Sequence, residues 1–265
     1  MAAEIVNYRE RVEFAVDGEG KGKAYFVLGV RKSGSSLLNS MVDEMATANN
    51  LAYIDVAGKL FAAGFTVRDW QEDRRLCRIL RRGHVYGGFR NFPLCFAAAP
   101  LFQRGFKVLL VRDPRDALVS EYFSNAYSHS IPAAGKSKND MLALRERAHS
   151  TSIDDYVLSM APSLKRVLKE YAAMKDDPNC LLFRYEDVIF EKARLIADIC
   201  DFFGWTLDED RKKHILGWAD VVPFEERPTE FVRRVTPGDH REKLSAGVID
   251  TLNTALADEL RFFGY

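Results

Sequence analysis

A chain of 265 residues, 47% of them hydrophobic, can bury one substantial core and suits one domain over 1–265 better than two. Lysines and arginines balance aspartates and glutamates at 38 each, so no overall field steers the chain toward nucleic acid or an anionic membrane. Cys77, Cys95, Cys180 and Cys200 are widely separated and match no CxxC or Cys/His metal spacing. "MAAEIVNYRERVEF" carries no leader pattern, and the longest mid-chain apolar stretch, Leu94 to Phe102, falls far short of the ~20 residues that span a bilayer. These readings predict a soluble cytoplasmic protein with free thiols and no transmembrane segment, and they leave a homodimer open.

In chain order, the first strong element is "KAYFVLGV" (Lys23–Val30), an apolar run that reads as a strand. A small-residue loop with one lysine follows, then a helix over Ser36–Thr47. A weaker strand at "LAYIDV" (Leu51–Val56) and a helix over Trp70–Arg81 lead to strands at "HVYGGFR" (His84–Arg90) and "FKVLLVR" (Phe106–Arg112). Helices at Pro114–Ser124 and Ile153–Met174 precede a strand at "CLLFRY" (Cys180–Tyr185), and helices at Asp187–Phe203 and Gly247–Phe262 complete the pattern. Polar Gly/Pro-bearing stretches at Ser128–Asp140 and Val221–Lys243 read as lids or binding loops. Short apolar runs alternating with longer amphipathic ones predict an α/β fold: three α/β/α layers around a central parallel sheet.

Ligands of such sheets sit beyond the carboxyl ends of the strands. There the chain places Arg31-Lys32-Ser33-Gly34-Ser35-Ser36 after the first strand, Arg90-Asn91 after the third and Arg112-Asp113-Pro114-Arg115-Asp116 after the fourth. A helix N-terminus behind a small-residue loop offers free N–H groups and a positive dipole, which together form an anion site, and Lys32 adds a full charge. A Walker A loop needs its lysine after the last glycine, whereas Lys32 precedes Gly34.

The order G-x-x-K-S-G-S-S resembles the phosphosulfate-binding loop of sulfotransferases that use 3′-phosphoadenosine-5′-phosphosulfate as donor. "LLVRDPRDALVSEYF" (Leu109–Phe123) resembles that family's 3′-phosphate motif, a strand-end arginine followed eight residues later by a helix-borne serine, here Arg112 and Ser120. "FVRRVTPGDHREKLS" (Phe231–Ser245) resembles its C-terminal segment, with Arg233 and Arg234 on the basic pair and Gly238-Asp239 on Gly-Asp. Val235 and His240 depart from the family's glycine and tryptophan there. "LLFRYEDV" (Leu181–Val188) puts Tyr185 where the family has a tyrosine near the adenine.

The resemblance implies a P-loop-like phosphosulfate-binding loop and transfer of a sulfuryl group to a hydroxyl or amine of a small-molecule, sugar or glycolipid acceptor. Arg31, Lys32, Ser33, Gly34, Ser35, Ser36, Arg112, Ser120, Tyr185, Arg233 and Arg234 would bind the donor, and Lys32 would neutralise charge on the bridging and sulfuryl oxygens. The product would be adenosine 3′,5′-bisphosphate, with no metal required. The proton acceptor stays open. Asn91 stands where small-molecule sulfotransferases carry a histidine, and His84, seven residues earlier, lies about 23 Å away along an extended strand. Asp55, 23 residues after Lys32, matches a glutamate of heparan-type sulfotransferases, and His129 lies in a loop beyond the Arg112–Ser120 helix. A P-loop nucleotide kinase, or a catalytically silent nucleotide-binding protein, remains as the alternative.

Overall fold

The computed structural model describes residues 4–16, 22–230 and 232–265; Met1 to Ala3 of the N-terminal stretch and Phe231 of the C-terminal motif lie outside them. Strands β3 (Tyr25–Gly29), β4 (Ala52–Asp55), β5 (His84–Phe89), β6 (Phe106–Val111) and β7 (Cys180–Arg184) form one five-stranded sheet in the order β4-β5-β3-β6-β7. Every pairing in it is parallel. All five residues of the central strand, β3, are buried. Its side chains alternate between two apolar clusters: Phe26 and Leu28 join one, and Tyr25 and Val27 the other. That alternation is the period-2 geometry of a strand covered on both faces. The predicted three-layer arrangement is therefore the observed one.

Local chemistry moved several boundaries. The expected helix over Trp70–Arg81 is a short helix, Val67–Trp70, followed by a 3₁₀ segment, Arg74–Ile79. Thr66 and Asp69 cap the first piece, and Asp73 starts the second by accepting the Arg75 N–H. Asp73 also accepts from Tyr8 at 2.9 Å and Arg9 at 2.7 Å, which ties in an unpredicted antiparallel hairpin, β1 (Glu4–Tyr8) with β2 (Val12–Val16). The polar Ser128–Asp140 stretch gives way at Lys136 to a helix running to Ser150, and Asp208 caps another unpredicted helix, Glu209–Ala219. The Gly247–Phe262 helix is interrupted at Leu256 into Ala246–Ala255 and Ala257–Phe263.

Gly88 in β5 has φ +82°, and a Cβ there would stand 1.9 Å from Asp55 Oδ1. Its neighbour Gly87 leaves the space taken by Tyr53 and Asn39. Asn39 accepts the Gly88 N–H at 2.7 Å and donates to the Ser35 carbonyl at 2.6 Å, so the bare strand end is stitched to the helix behind the lysine loop.

Candidate active site

The carboxyl ends of β3, β5, β6 and β7 face a cavity of about 600 Å³. The lysine loop shapes its floor. Ser33 folds the loop on itself: its N–H and its hydroxyl both donate to the Val30 carbonyl, at 3.2 and 2.6 Å. Ser33 is fully buried and does not line the cavity, and the N–H expected to face a phosphate bonds the Val30 carbonyl instead. Lys32 (φ +64°) and Gly34 (φ +86°) take the left-handed turn that aims the helix Ser35–Ala48 at the cavity. A Cβ on Gly34 would lie 3.2 Å from the Tyr185 ring. Gly34, Ser35, Ser36 and Leu37 line the cavity, and the first-turn N–H groups have no carbonyl upstream in the helix to accept from them.

Lys32 lies among cations. Burial first, then Arg112, Arg90 and Arg233, pull its ammonium pKa down to about 8, against the opposing pull of Glu121. Arg31 donates from Nε to Glu121 at 3.0 Å and from Nη1 to Ser163 Oγ at 3.3 Å. Arg90 donates to the Gly88 carbonyl at 2.8 Å and to Ser36 Oγ at 2.9 Å.

Arg112 follows β6 directly. It is 4% exposed, lies 4.4 Å over the Tyr185 ring and donates to the Lys32 carbonyl at 3.3 Å. Its Nε is buried without a hydrogen-bond partner. Ser120 reaches the same cavity from the helix Pro114–Phe123. On that helix Asp116, 1% exposed, accepts the N–H groups of Gly238 (2.6 Å) and His240 (2.9 Å), and lies 2.6 Å from His240 Nδ1. Burial pushes the Asp116 carboxyl up, but the His240 ring, Arg112 and the two backbone N–H groups overcome it and bring it to about 2.

Asp116 thus anchors the C-terminal segment that carries Arg233 and Arg234. Arg233 pairs with Glu226 and Asp239 and lies 4.2 Å over Phe123. Arg234 pairs with Asp239 at 3.2 Å and with Glu242 at 2.5 Å. Both arginines line the cavity, yet each is already occupied by the chain's own carboxylates. Tyr185 is buried and donates its hydroxyl to the Val235 carbonyl at 2.8 Å, which ties the end of β7 to the same segment.

Another part of the lining is apolar: Phe61, Phe65, Trp70, Met141 and Leu144 come from other segments, and Phe123 ends the helix that carries Ser120. Asp55 and His129 lie in the same lining. Asp55 caps the helix Val56–Ala62, accepting the Gly58 N–H at 2.9 Å. His129 follows a π-helical turn, Ser124–Ser128, with Nδ1 2.8 Å from the Ser130 carbonyl. His84 begins β5, at the far end of the strand from the cavity, with Nδ1 2.9 Å from the Arg82 carbonyl.

Among the lining residues that the sequence pattern did not single out are Glu121 and most of the apolar wall. Glu121 pairs across 90 residues with Arg31, and nothing local announces such a contact. Among the described residues no cluster of three or more His, Cys, Asp or Glu could hold a metal ion. No helix among them is long and apolar enough to cross a membrane.

Residues 98–260 match the family model described as the sulfotransferase domain. Sulfotransferase 2A6 of Rattus norvegicus is 23% identical over 191 residues, 65% of this chain and 63% of that one. Sulfotransferase 2A1 of the same species is 27% identical over 139 residues, 51% of this chain and 45% of that one. The matches therefore span less than two thirds of either relative's length. Among solved structures, mouse sulfotransferase SULT7A1 complexed with PAP superposes with a TM-score of 0.63 at 13% identity, covering 92% of this chain and 86% of that one. Retinol dehydratase in complex with retinol and PAP gives 0.57 at 16% identity, covering 89% and 81%. At these identities the likeness is one of fold.

Proposed function

Because the chain belongs to the sulfotransferase domain family, we propose that it transfers the sulfuryl group of 3′-phosphoadenosine-5′-phosphosulfate to a hydroxyl or amine of a small acceptor. One observation carries the reading. Arg112 is a buried guanidinium with an unpartnered Nε, stacked on Tyr185 and sharing a cavity with Ser120 and Lys32. A buried cation with an unsatisfied N–H favours an anion, and the donor's 3′-phosphate supplies one. PAP in the complexes of the structural relatives supports the same ligand class.

In this reading the donor supplies an activated sulfuryl group when bound. Arg112 and Ser120 hold the 3′-phosphate, the N–H groups of Gly34 to Ser36 hold the 5′-phosphate, and Tyr185 lies beside the adenine. Lys32 offers its ammonium to the charge that builds on the leaving oxygen as the sulfur–oxygen bond loosens, a task of positioning and electrostatics like that of phosphoryl transfer. Arg233 and Arg234 reach the 3′-phosphate by exchanging a carboxylate partner for it. The apolar wall formed by Phe61, Phe65 and Trp70 favours a small, largely apolar acceptor over a sugar or glycolipid. Asp55 and His129, both in the lining, are the two candidates for taking the acceptor's proton.

Calorimetric titration with adenosine 3′,5′-bisphosphate, AMP and ATP, with and without magnesium, tests the reading. Tight, metal-independent binding of the bisphosphate with far weaker AMP is the expected result. Preference for ATP with magnesium overturns it in favour of a kinase.

A further inference from the structure

We propose that His129 Nε2 removes the acceptor proton, with the Ser130 carbonyl and Arg145 as positioning groups and Asp55 as a helix cap only; the proposal rests on the sulfuryl-transfer reading. The acceptor oxygen–sulfur bond forms while the bond from sulfur to the bridging oxygen breaks, its electron pair stays on that oxygen, and the hydroxyl proton passes to Nε2.

The cavity offers few competitors. Glu121 is held by Arg31 at 3.0 Å, and the Tyr185 hydroxyl is committed to the Val235 carbonyl. Asp140 is an exposed carboxylate on the helix Lys136–Ser150. Asp55 spends Oδ1 on the Gly58 N–H, and the glycine at 88 exists to admit that carboxylate, a cap seated against a strand.

His129 is held differently. Its Nδ1 lies 2.8 Å from a carbonyl oxygen, which can only accept. The ring proton therefore sits on Nδ1, and the lone pair is on Nε2. The backbone is pinned at both ends: its N–H donates to the Ser124 carbonyl at 2.7 Å, and its carbonyl accepts Arg145 Nη2 at 2.7 Å. Arg145 Nε also donates to the Asn125 carbonyl at 3.2 Å, so one guanidinium from the Lys136–Ser150 helix braces the π-turn that carries the imidazole. Such turns are concentrated at functional sites. The ring meets the edge of Phe61 at 5.9 Å, on the acceptor wall.

The charged groups around His129 suit a base. Burial keeps its pKa below the ordinary histidine value, the Ser130 bond opposes that, and Lys32 from the loop, Arg90 after β5 and Arg145 add to the lowering. Asp55, Glu121 and Asp140 share the lining with it. The imidazole is thus neutral at neutral pH, the form that accepts a proton.

The test compares two acceptor probes, benzyl alcohol and 4-nitrophenol, on the full chain near pH 8. The alcohol must lose its proton during transfer, whereas the phenol is already largely ionised. His129→Ala is expected to cut kcat with benzyl alcohol by roughly 10²-fold or more, to leave 4-nitrophenol within a few fold, and to recover with added imidazole. Asp55→Asn should keep the acid limb of the pH–rate profile, which His129→Ala should abolish. Arg145→Gln should lower alcohol turnover alone, and to a smaller extent. Equal losses on both probes, or an acid limb that disappears with Asp55→Asn, overturn the proposal.

Histidine-selective ¹⁵N spectra give a readout that needs no acceptor. The Nδ1–H tautomer is expected at neutral pH, and an Nε2–H tautomer or a charged ring overturns the assignment. A wild-type protein that fails to bind the bisphosphate defeats the sulfuryl-transfer reading instead, an outcome distinct from all of these.

Discussion

On one side of the cavity, Lys32, Arg112 and Tyr185 stand within a few residues of the ends of β3, β6 and β7. They are locked together: guanidinium over phenol, guanidinium to loop carbonyl, phenol hydroxyl to the C-terminal segment. On the other side, Phe61, Trp70 and His129 sit on short helices or a π-turn, held by caps and by Arg145. The first side is a polar frame with one geometry, suited to one invariant ligand. The second is an apolar wall on short pieces, where shape changes without disturbing the sheet. Substitutions on the frame should therefore stop the reaction, and those on the wall should retune it.

Lys32→Ala puts that contrast to its strongest test. Removing the ammonium proposed to meet the developing charge is expected to lower single-turnover transfer by roughly 10³-fold. Bisphosphate binding should suffer less, because the loop N–H groups remain. A loss below tenfold would show that the frame does not carry the chemistry.

Next in size is Arg112→Ala. Truncating one member of a buried charge-assisted pair costs about 2–5 kcal/mol, so calorimetry should find bisphosphate binding weaker by that amount, with AMP binding nearly unchanged. Equal losses for both nucleotides would remove the 3′-phosphate from Arg112.

Proton linkage at Lys32 separates the two sides of the cavity by pH. Its ammonium is depressed to about 8 in the free protein, and a bound anion favours the charged form and raises that value. Below about 8 the lysine is charged in both states and affinity is flat. As pH rises past it, binding takes up a proton and affinity falls, by up to about tenfold per pH unit until the complex itself titrates. Calorimetry in buffers of different ionisation enthalpy reads the uptake, which Lys32→Ala should abolish and Phe61→Ala should leave intact.

The same division explains what could be read from the chain. Strands β3, β5 and β6 are apolar runs whose ends carry Lys32, Arg90 and Arg112, so period and spacing brought those residues to one sheet edge before any coordinates. Ser33 closes on the Val30 carbonyl through both its N–H and its hydroxyl, a fold of the loop that a run of small residues does not announce. Glu121 and the apolar wall depend on packing between remote segments, which no local pattern encodes. The hairpin β1–β2 alternates exposed and buried residues, but over only five residues a strand, too few to stand out from a charged segment. The Trp70–Arg81 helix failed because Asp73 begins a fresh turn instead of continuing the old one.

The smallest expected effect belongs to Phe61→Ala, on the wall. The ring is half-buried at the end of a short helix, lines the cavity and meets His129 edge-on at 5.9 Å. Deleting it removes apolar contact with an acceptor worth about 1–2 kcal/mol, so KM for an apolar alcohol should rise roughly tenfold. Turnover should fall only a few fold, since Ser130 and Arg145 still hold the imidazole. Bisphosphate affinity should be unchanged, because no element of the frame rests on Phe61. If bisphosphate affinity fell in step with KM, frame and wall would be one mechanical unit, and the apolar side could not vary its acceptor without weakening its grip on the donor.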